Sequence, residues 1–537
     1  MTMFKAFVAI ATLAAPAFAT AQADCAALNP KILVANSTVR AQSFVTTGTN
    51  LTFPEQNANC RRSSQVVRTN LCRIAMNITT SGRSEVVTEV WLPETWNGRV
   101  VTIGGGGLDG CVHYEDLAYA TANGFAAVGT NNGHDGTSGV QFLNNEDVVT
   151  DFSYRAIHVG VIAGKQLVQS LYKTSAKKSY LMGCSLGGRQ GIQAADMFPE
   201  DFDEIVAGAP AVDFNNLYSW RAGFLPLTGA TDSKDFISAS MWKRTIHQEV
   251  LKQCDIIDGA EDGIIEDPSQ CHFDPSQIQC KDDANDKKRC LTAAQVEIVR
   301  KIYSPTNYPN GTMFWPGMNP GSELLAAEGL YRGKPFPLSE NWFRFAVKND
   351  PKWDPATYKL DPDGIDADQK NPGNVRTNPS SLSAFMSRGG KLLMYHGTQD
   401  NLITSLHTTL FYDRLAKGMN LDNAGMDAFA RLFRISGMNH CSSGPGAWVI
   451  GQGGGAAAAA DNLPFDGEHN VLAAVVDWVE NGNAPETLKG TKFVNDSASL
   501  GIDYQRKHCR YPLRNTFGGS GPHGSKDVEN WTCKPPS

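Results

Sequence analysis

The stretch Ser179-Tyr180-Leu181-Met182-Gly183-Cys184-Ser185-Leu186-Gly187-Gly188-Arg189-Gln190-Gly191-Ile192-Gln193-Ala194-Ala195 passes from an apolar run, through a serine flanked by glycines, into residues with helical character. It reads as strand, turn, helix. Gly183-x-Ser185-x-Gly187 is the nucleophile-elbow pattern, in which small residues two before and two after the serine let a strand turn sharply into a helix and present Oγ. The pentapeptide alone recurs by chance in long chains. Its weight here comes from the strand before it and the helix after it; the alternative is an ordinary βα turn.

Similar apolar runs lie on both sides. Arg99-Val100-Val101-Thr102-Ile103, Gly124-Phe125-Ala126-Ala127-Val128, Glu204-Ile205-Val206-Ala207, Lys391-Leu392-Leu393-Met394-Tyr395 and Ala430-Arg431-Leu432-Phe433-Arg434-Ile435 have the continuous hydrophobicity of parallel strands buried on both faces. Amphipathic runs alternate with them, which makes the class α/β. A chain of 537 residues exceeds one ordinary core, so a second unit is expected. Residues 225–387 hold most of the Asp-Gly and Pro turn signals, two close cysteine pairs and four of the ten tryptophans. They read as a lid inserted into the sheet, leaving 24–224 and 388–537 as the catalytic domain.

A serine nucleophile needs a base, and the base an orienting acid; in the α/β-hydrolase fold they follow in the order Ser, Asp, His at strand ends. The strand from Lys391 runs into His396-Gly397-Thr398-Gln399-Asp400, and the strand ending at Ile435 leads to Gly437-Met438-Asn439-His440-Cys441. Ser185, Asp400 and His440 are therefore the catalytic candidates. Asp400 also reads as a helix cap. His396 and His407 compete with it and with His440, but neither has a cysteine neighbour or follows the last strand, and they rank as structural. Cysteines flank the two outer candidates: Cys184 precedes Ser185 and Cys441 follows His440. If they are bonded, their Cα atoms lie within about 7 Å, and each neighbour is one ~3.8 Å step away. Acyl transfer also needs oxyanion donors. The backbone N–H of Leu186 is one candidate. The other comes from Ile103-Gly104-Gly105-Gly106-Gly107-Leu108-Asp109-Gly110, with Gly106 preferred and Gly107 next, since glycines let the backbone approach a substrate. The run lacks the Lys-Ser/Thr of a phosphate-binding loop.

Met1 to Ala23 carries one lysine, Lys5, then an apolar stretch too short to span a membrane, and ends in small residues. It reads as a secretory signal, cleaved after Ala23 or, second choice, Ala19, so the protein is expected outside the cell. Twelve cysteines in such a chain suit disulfides better than zinc. Proximity suggests Cys254–Cys271, Cys280–Cys290 and Cys509–Cys533, and leaves the pairing of Cys25, Cys60, Cys72 and Cys111 open. Asn36, Asn50, Asn77, Asn310, Asn495 and Asn530 are N-glycan acceptors in a eukaryotic host. With 41% hydrophobic and 19% charged residues and a net charge of −7, nothing basic is concentrated enough to hold nucleic acid or an anionic membrane.

Cys254-Asp255-Ile256-Ile257-Asp258-Gly259-Ala260-Glu261-Asp262-Gly263-Ile264 packs carboxylates among glycines. Oxygen donors at this density suit calcium, which takes about six to eight, but the EF-hand spacing is absent. A solvated acidic turn is the other reading.

Four segments together resemble the tannase and feruloyl esterase family: Gly183-Cys184-Ser185-x-Gly187-Gly188-Arg189-Gln190, Cys254-Asp255-x-x-Asp258-Gly259-x-x-Asp262-Gly263, Gly389-Gly390-Lys391 through Gly397 with Asp400, and Gly437-Met438-x-His440-Cys441. The resemblance implies a secreted α/β-hydrolase with a large inserted lid and a Ser-Asp-His triad. It also implies a Cys184–Cys441 disulfide and a structural calcium held by the side chains of Asp255, Asp258 and Asp262 and the carbonyls of Ala260 and Ile264. The sequence departs from the family at Thr398-Gln399, where a Trp-Ala-like pair is more usual, and at the Gly/Ala run 451–460. The expected substrate is an aromatic ester, free or linked to polysaccharide: feruloyl first, galloyl second, terephthalate or another aromatic ester third. Trp315, Trp342, Phe343 and Trp353 are candidates to sandwich its ring, although a lid this size needs aromatics for its own core. A non-catalytic binding module would be expected to lack a triad member; all three are present.

Overall fold

The computed structural model describes residues 14–281, 289–453, 462–520 and 524–536. Its centre is a nine-stranded sheet of β1 (Ser37–Val45), β2 (Leu71–Ser81), β3 (Ser84–Pro93), β4 (Arg99–Ile103), β5 (Ala126–Thr130), β6 (Lys178–Cys184), β7 (Glu204–Gly208), β8 (Lys391–Gly397) and β9 (Ala430–Ile435). The spatial order is β1-β2-β3-β5-β4-β6-β7-β8-β9. The six strands from β5 to β9 run parallel, and β1, β2 and β3 form an antiparallel edge. This is the mostly parallel sheet of an α/β-hydrolase.

The parallel strands read as unbroken apolar runs because helices cover both faces. The helices that matter for the site are α1 (Tyr114–Ala122), α2 (Ala156–Tyr172), α3 (Leu186–Met197), α4 (Phe214–Ala222), α5 (Ser405–Gly418) and α6 (Val471–Asn481). On one face Leu181, Ile205, Leu392, Met394 and Leu432 pack with residues of α2, α3 and α5. On the other, Tyr180, Met182, Val206, Leu393, Tyr395 and Phe433 pack with residues of α1 and α6. The alternation along β6 follows from the two-residue period of a strand.

The antiparallel edge has no such apolar signature, and the reason is a buried charge pair. Arg73 on β2 lies opposite Trp91 on β3 and reaches diagonally to Glu89, bonding it at 3.0 and 2.6 Å, and Trp91 Nε1 donates to Glu89 Oε2 at 3.0 Å. Both side chains are buried, so the charges interrupt the hydrophobic run without leaving the core.

Between β7 and β8 the chain leaves the sheet and forms helices and short turns whose apolar side chains share one core with Leu108, Phe142, Phe152 and Leu186. By packing, this core also takes in Phe214, Leu217, Tyr218 and Trp220 of α4, ahead of residue 225, while Leu382 and Phe385 already pack with the sheet. All twelve cysteines pair, the amino-terminal four as Cys25–Cys72 and Cys60–Cys111, and the three close pairs as their proximity suggests. The amino-terminal half of the expected leader and most of the 451–460 run lie outside the described residues; Ala14–Ala27 is helical. Among the described residues no helix is long and apolar enough to cross a membrane.

Arg73→Met should cost about 3–5 kcal/mol of stability, because it leaves Glu89 charged and buried without its partner. Arg73→Met with Glu89→Gln should recover part of that loss, read as the melting temperatures of the two variants.

Candidate active site

At the end of β6 the chain turns through Ser185, whose φ of 60° and ψ of −113° are strained for a residue with a side chain, and enters α3. Ser185 N–H donates to the Gly208 carbonyl at 2.8 Å. The turn closes only because three glycine backbones touch. A Cβ on Gly183 would lie 2.6 Å from the Gly187 carbonyl carbon, and one on Gly104 would lie 2.5 Å from Gly187 Cα. This contact also carries a hydrogen bond, Gly187 N–H to the Gly105 carbonyl at 2.9 Å, which ties the elbow to the loop after β4.

Cys184 and Cys441 are bonded, with Cα atoms 6.4 Å apart. A ring nitrogen of His440 and both sulfurs of this disulfide lie within 4.8 Å of one another. These sulfurs are oxidised and offer no thiolate, so the grouping is a staple rather than a metal site. His440 and Ser185 line one cavity of about 260 Å³.

Asp400 follows β8 and is fully buried. His440 Nδ1–H donates to its Oδ2 at 2.7 Å, so the lone pair of the imidazole is on Nε2. The second oxygen, Oδ1, accepts the N–H groups of Leu402 at 2.8 Å and Ile403 at 2.9 Å. His396, which the sequence places among structural histidines, meets the same carboxylate: its Nε2 is 3.0 Å from Asp400 Oδ2 and 3.0 Å from the Ile403 carbonyl. A nitrogen between two acceptors carries the proton, and Thr408 Oγ1, 2.8 Å from Nδ1, donates on the other side. Burial alone would raise the Asp400 carboxyl, but His440 and His396 outweigh it and hold it well below the usual carboxylate range. It therefore stays ionised beneath His440. His407 is stacked on Trp315 with centroids 3.8 Å apart, and burial lowers it to about 3; it takes no part in the cavity.

The cavity wall runs from Gly104 to Gly107 past Met182, Leu338 and Leu402, with Arg62, Asp109, His113, Asp116, Arg221 and Ser442 as polar groups besides Ser185 and His440. Trp315, Trp342, Phe343 and Trp353 do not line it; the first three are buried in the core of the insert and the fourth packs against that core. Of the oxyanion candidates, the N–H of Gly106 is already given to Asp109 Oδ1 at 3.1 Å. Those of Leu186 and Gly107 have no acceptor among the described residues. A hydroxyl and an imidazole on one cavity, a buried carboxylate bonded to that imidazole and free backbone donors are what acyl transfer requires.

The acidic loop lies elsewhere; none of its residues lines this cavity. Asp255 accepts the N–H groups of Asp262, Gly263 and Ile264, the last two at 3.0 and 3.2 Å. Asp258 Oδ2 and Asp262 Oδ1 are buried without a hydrogen-bond partner. Arg506 bonds Asp262 Oδ2 at 2.5 Å, the nearest positive charge. Burial, then Glu266, push the Asp258 carboxyl up to about 8. Unpartnered buried carboxylate oxygens beside a tight turn are a donor set that fits calcium.

The profile of the family described as "Tannase and feruloyl esterase" matches residues 72–534. The chain belongs to that family. Its members are carboxylic ester hydrolases. The chain is 53% identical over 496 residues to a probable feruloyl esterase B-2 of Aspergillus flavus, covering 92% of this chain and 94% of the relative. A crystal structure of feruloyl esterase B from Aspergillus oryzae superposes with a TM-score of 0.89 at 42% identity, covering 96% of this chain and all of that one. Tannin acyl hydrolase from Aspergillus niger shares the fold, with a TM-score of 0.72 at 22% identity over 96% of this chain and 94% of that one.

Replacing both Cys184 and Cys441 by alanine should lower kcat on the order of 10²-fold while KM changes little, since a displacement of about 1 Å between reacting groups costs that much. Steady-state kinetics of the double variant check it.

Proposed function

We propose that this protein is a secreted serine esterase that hydrolyses aromatic esters, feruloyl esters of plant cell-wall material first among them. The observation that carries the reading is the cavity shared by Ser185 and His440, with His440 Nδ1 bonded to a buried, ionised Asp400. The feruloyl esterase B relatives support the acyl group. At about 260 Å³ the cavity is slightly smaller than the roughly 300–1,000 Å³ of most small-molecule sites, which suits one ring-bearing acyl group with the sugar outside. The leader and the six disulfides support secretion.

In this mechanism Ser185 Oγ attacks the ester carbonyl as His440 Nε2 takes its proton. His440 then gives that proton to the departing alcohol, and an acyl-enzyme remains. Water, deprotonated by the same nitrogen, attacks the acyl-enzyme and the aromatic acid leaves. Asp400 fixes the imidazole tautomer and stabilises its positive charge, and His396 helps to hold Asp400. Leu186 and a residue of the glycine loop supply the oxyanion N–H groups.

We also propose a structural calcium at the acidic loop, held by the side chains of Asp255, Asp258 and Asp262 and by the carbonyls of Ala260 and Ile264. When bound, it neutralises carboxylates that Arg506 alone does not balance. No step of the reaction passes through it.

Ser185→Ala should leave a folded protein with at most about 10⁻³ of wild-type kcat, and Asp400→Asn should lose about 10⁴-fold. Methyl ferulate should be turned over faster than methyl gallate by the wild type; the reverse order would move the assignment to galloyl esters. Chelation should lower the melting temperature before it lowers kcat, by an amount set by free calcium relative to its dissociation constant. Metal analysis of purified protein that found no calcium would overturn the loop assignment.

A further inference from the structure

The glycine loop is held by a ring of hydrogen bonds that the triad does not use. Gly105 N–H donates to Gln190 Oε1 at 3.0 Å, and Gln190 Nε2 donates to Asn132 Oδ1 at 2.9 Å. Asn132 Nδ2 donates to the Asp109 carbonyl at 2.9 Å, and Asp109 Oδ1 closes the ring on Gly106 N–H at 3.1 Å. Every side chain in it is buried or nearly so, and Asn132 holds a left-handed φ of 52° just after β5. Such strain persists where the surroundings over-determine it.

The other oxygen of Asp109 has its own partner. Asp109 Oδ2 is 3.3 Å from His113 Nε2, and His113 Nδ1 is 3.6 Å from Asp116 Oδ2. Burial opposes a charge on His113, but the hydrogen bond to Asp109 and the nearby Asp116 carboxylate outweigh it and push the ring up to about 10. An imidazolium between two carboxylates holds Asp109 in one rotamer. Asp109 and His113 line the cavity of Ser185, so this clamp sits at the reacting centre.

The clamp decides which glycine faces the substrate. With its N–H given to Asp109, Gly106 has none to offer, and the next residue, Gly107, turns at φ 56° with its carbonyl bound by Tyr218 at 3.3 Å. We propose that Asp109 is a positioning residue of the reaction: braced by His113 and Asn132, its carboxylate fixes the Gly106 peptide so that the N–H of Gly107, with that of Leu186, receives the developing oxyanion. The proposal rests on the esterase reading above.

A loop staple with no catalytic consequence would alter stability or substrate affinity. A positioning role acts on the tetrahedral state alone. The probe is an arylboronic acid: Ser185 Oγ adds to boron, its proton passes to His440, and the tetrahedral anion that forms places an oxygen in the oxyanion site. Asp109→Ala should lower kcat on the order of 10- to 100-fold, within the range for a misplaced oxyanion donor. KM should stay within about twofold, the Ki of the boronic acid should rise with the fall in kcat, and the Ki of the free aromatic acid should not move. Asp109→Asn, which keeps an oxygen for Gly106 N–H, should recover most of kcat. A rise in KM with kcat intact, equal weakening of boronic and free acid, or Asp109→Asn as impaired as Asp109→Ala would overturn the proposal. Should Asp109→Ala not fold, His113→Asn is read in the same way, with kcat and boronate affinity expected to fall together. A wild type insensitive to the boronic acid would overturn the esterase reading and the proposal with it; a responsive wild type with unaffected variants overturns the proposal alone.

Discussion

Everything in the active site hangs on one close approach, that of the Gly104, Gly183 and Gly187 backbones. No side chain fits between them: a Cβ on any of the three would lie 3.0 Å or less from a neighbouring backbone atom. The contact lets β6 turn into α3 through a strained Ser185 and places the glycine loop beside it. It therefore sets Ser185 and the free N–H groups of Leu186 and Gly107 in one step, before Asp400 or His440 is considered. The Cys184–Cys441 bond then brings in the last member, linking the strand that presents Ser185 to the loop that presents His440 across 257 residues of chain.

The second constraint is electrostatic. Asp400 has no access to water, yet two histidines and two backbone N–H groups point at it. A buried carboxylate with four donors stays ionised and cannot rotate, so the imidazole above it is fixed as well. Asp109 repeats the same logic on the other side of the cavity, with His113 and Gly106 N–H as its donors. The acidic loop shows the opposite case, with carboxylate oxygens that lack partners. The contrast is between carboxylates held by donors on every side and carboxylates whose oxygens are left without one, which is why the calcium is proposed at the second.

Parallel strands buried on both faces were legible as apolar runs, and the elbow as glycines around a serine. Asp400 and His440 followed from chain order and strand ends. The antiparallel edge was not legible, because Arg73 and Glu89 break its pattern while cancelling each other inside the fold. His396 could not be told from a core histidine, since its link to Asp400 depends on how the turn after β8 curls back, although a spacing of four residues was a faint signal. The sequence favours Gly106 over Gly107, but spacing does not reveal that the Asp109 carboxylate three residues on takes the Gly106 N–H. Aromatic content in the insert signalled a core and not a pocket, and composition does not separate the two. The loop at 255–264 was legible as a dense donor set; which oxygens lack partners was visible only in three dimensions.

A single mass-spectrometric experiment tests the placement of Ser185 beside His440 most directly. The protein is inactivated with an aryl phosphonate, digested without reduction, and the labelled peptide is sequenced. The phosphonyl group is expected on Ser185, in a peptide joined through Cys184 to the one that contains His440 and Cys441. A label on another residue, or Cys184 free or paired elsewhere, would contradict it.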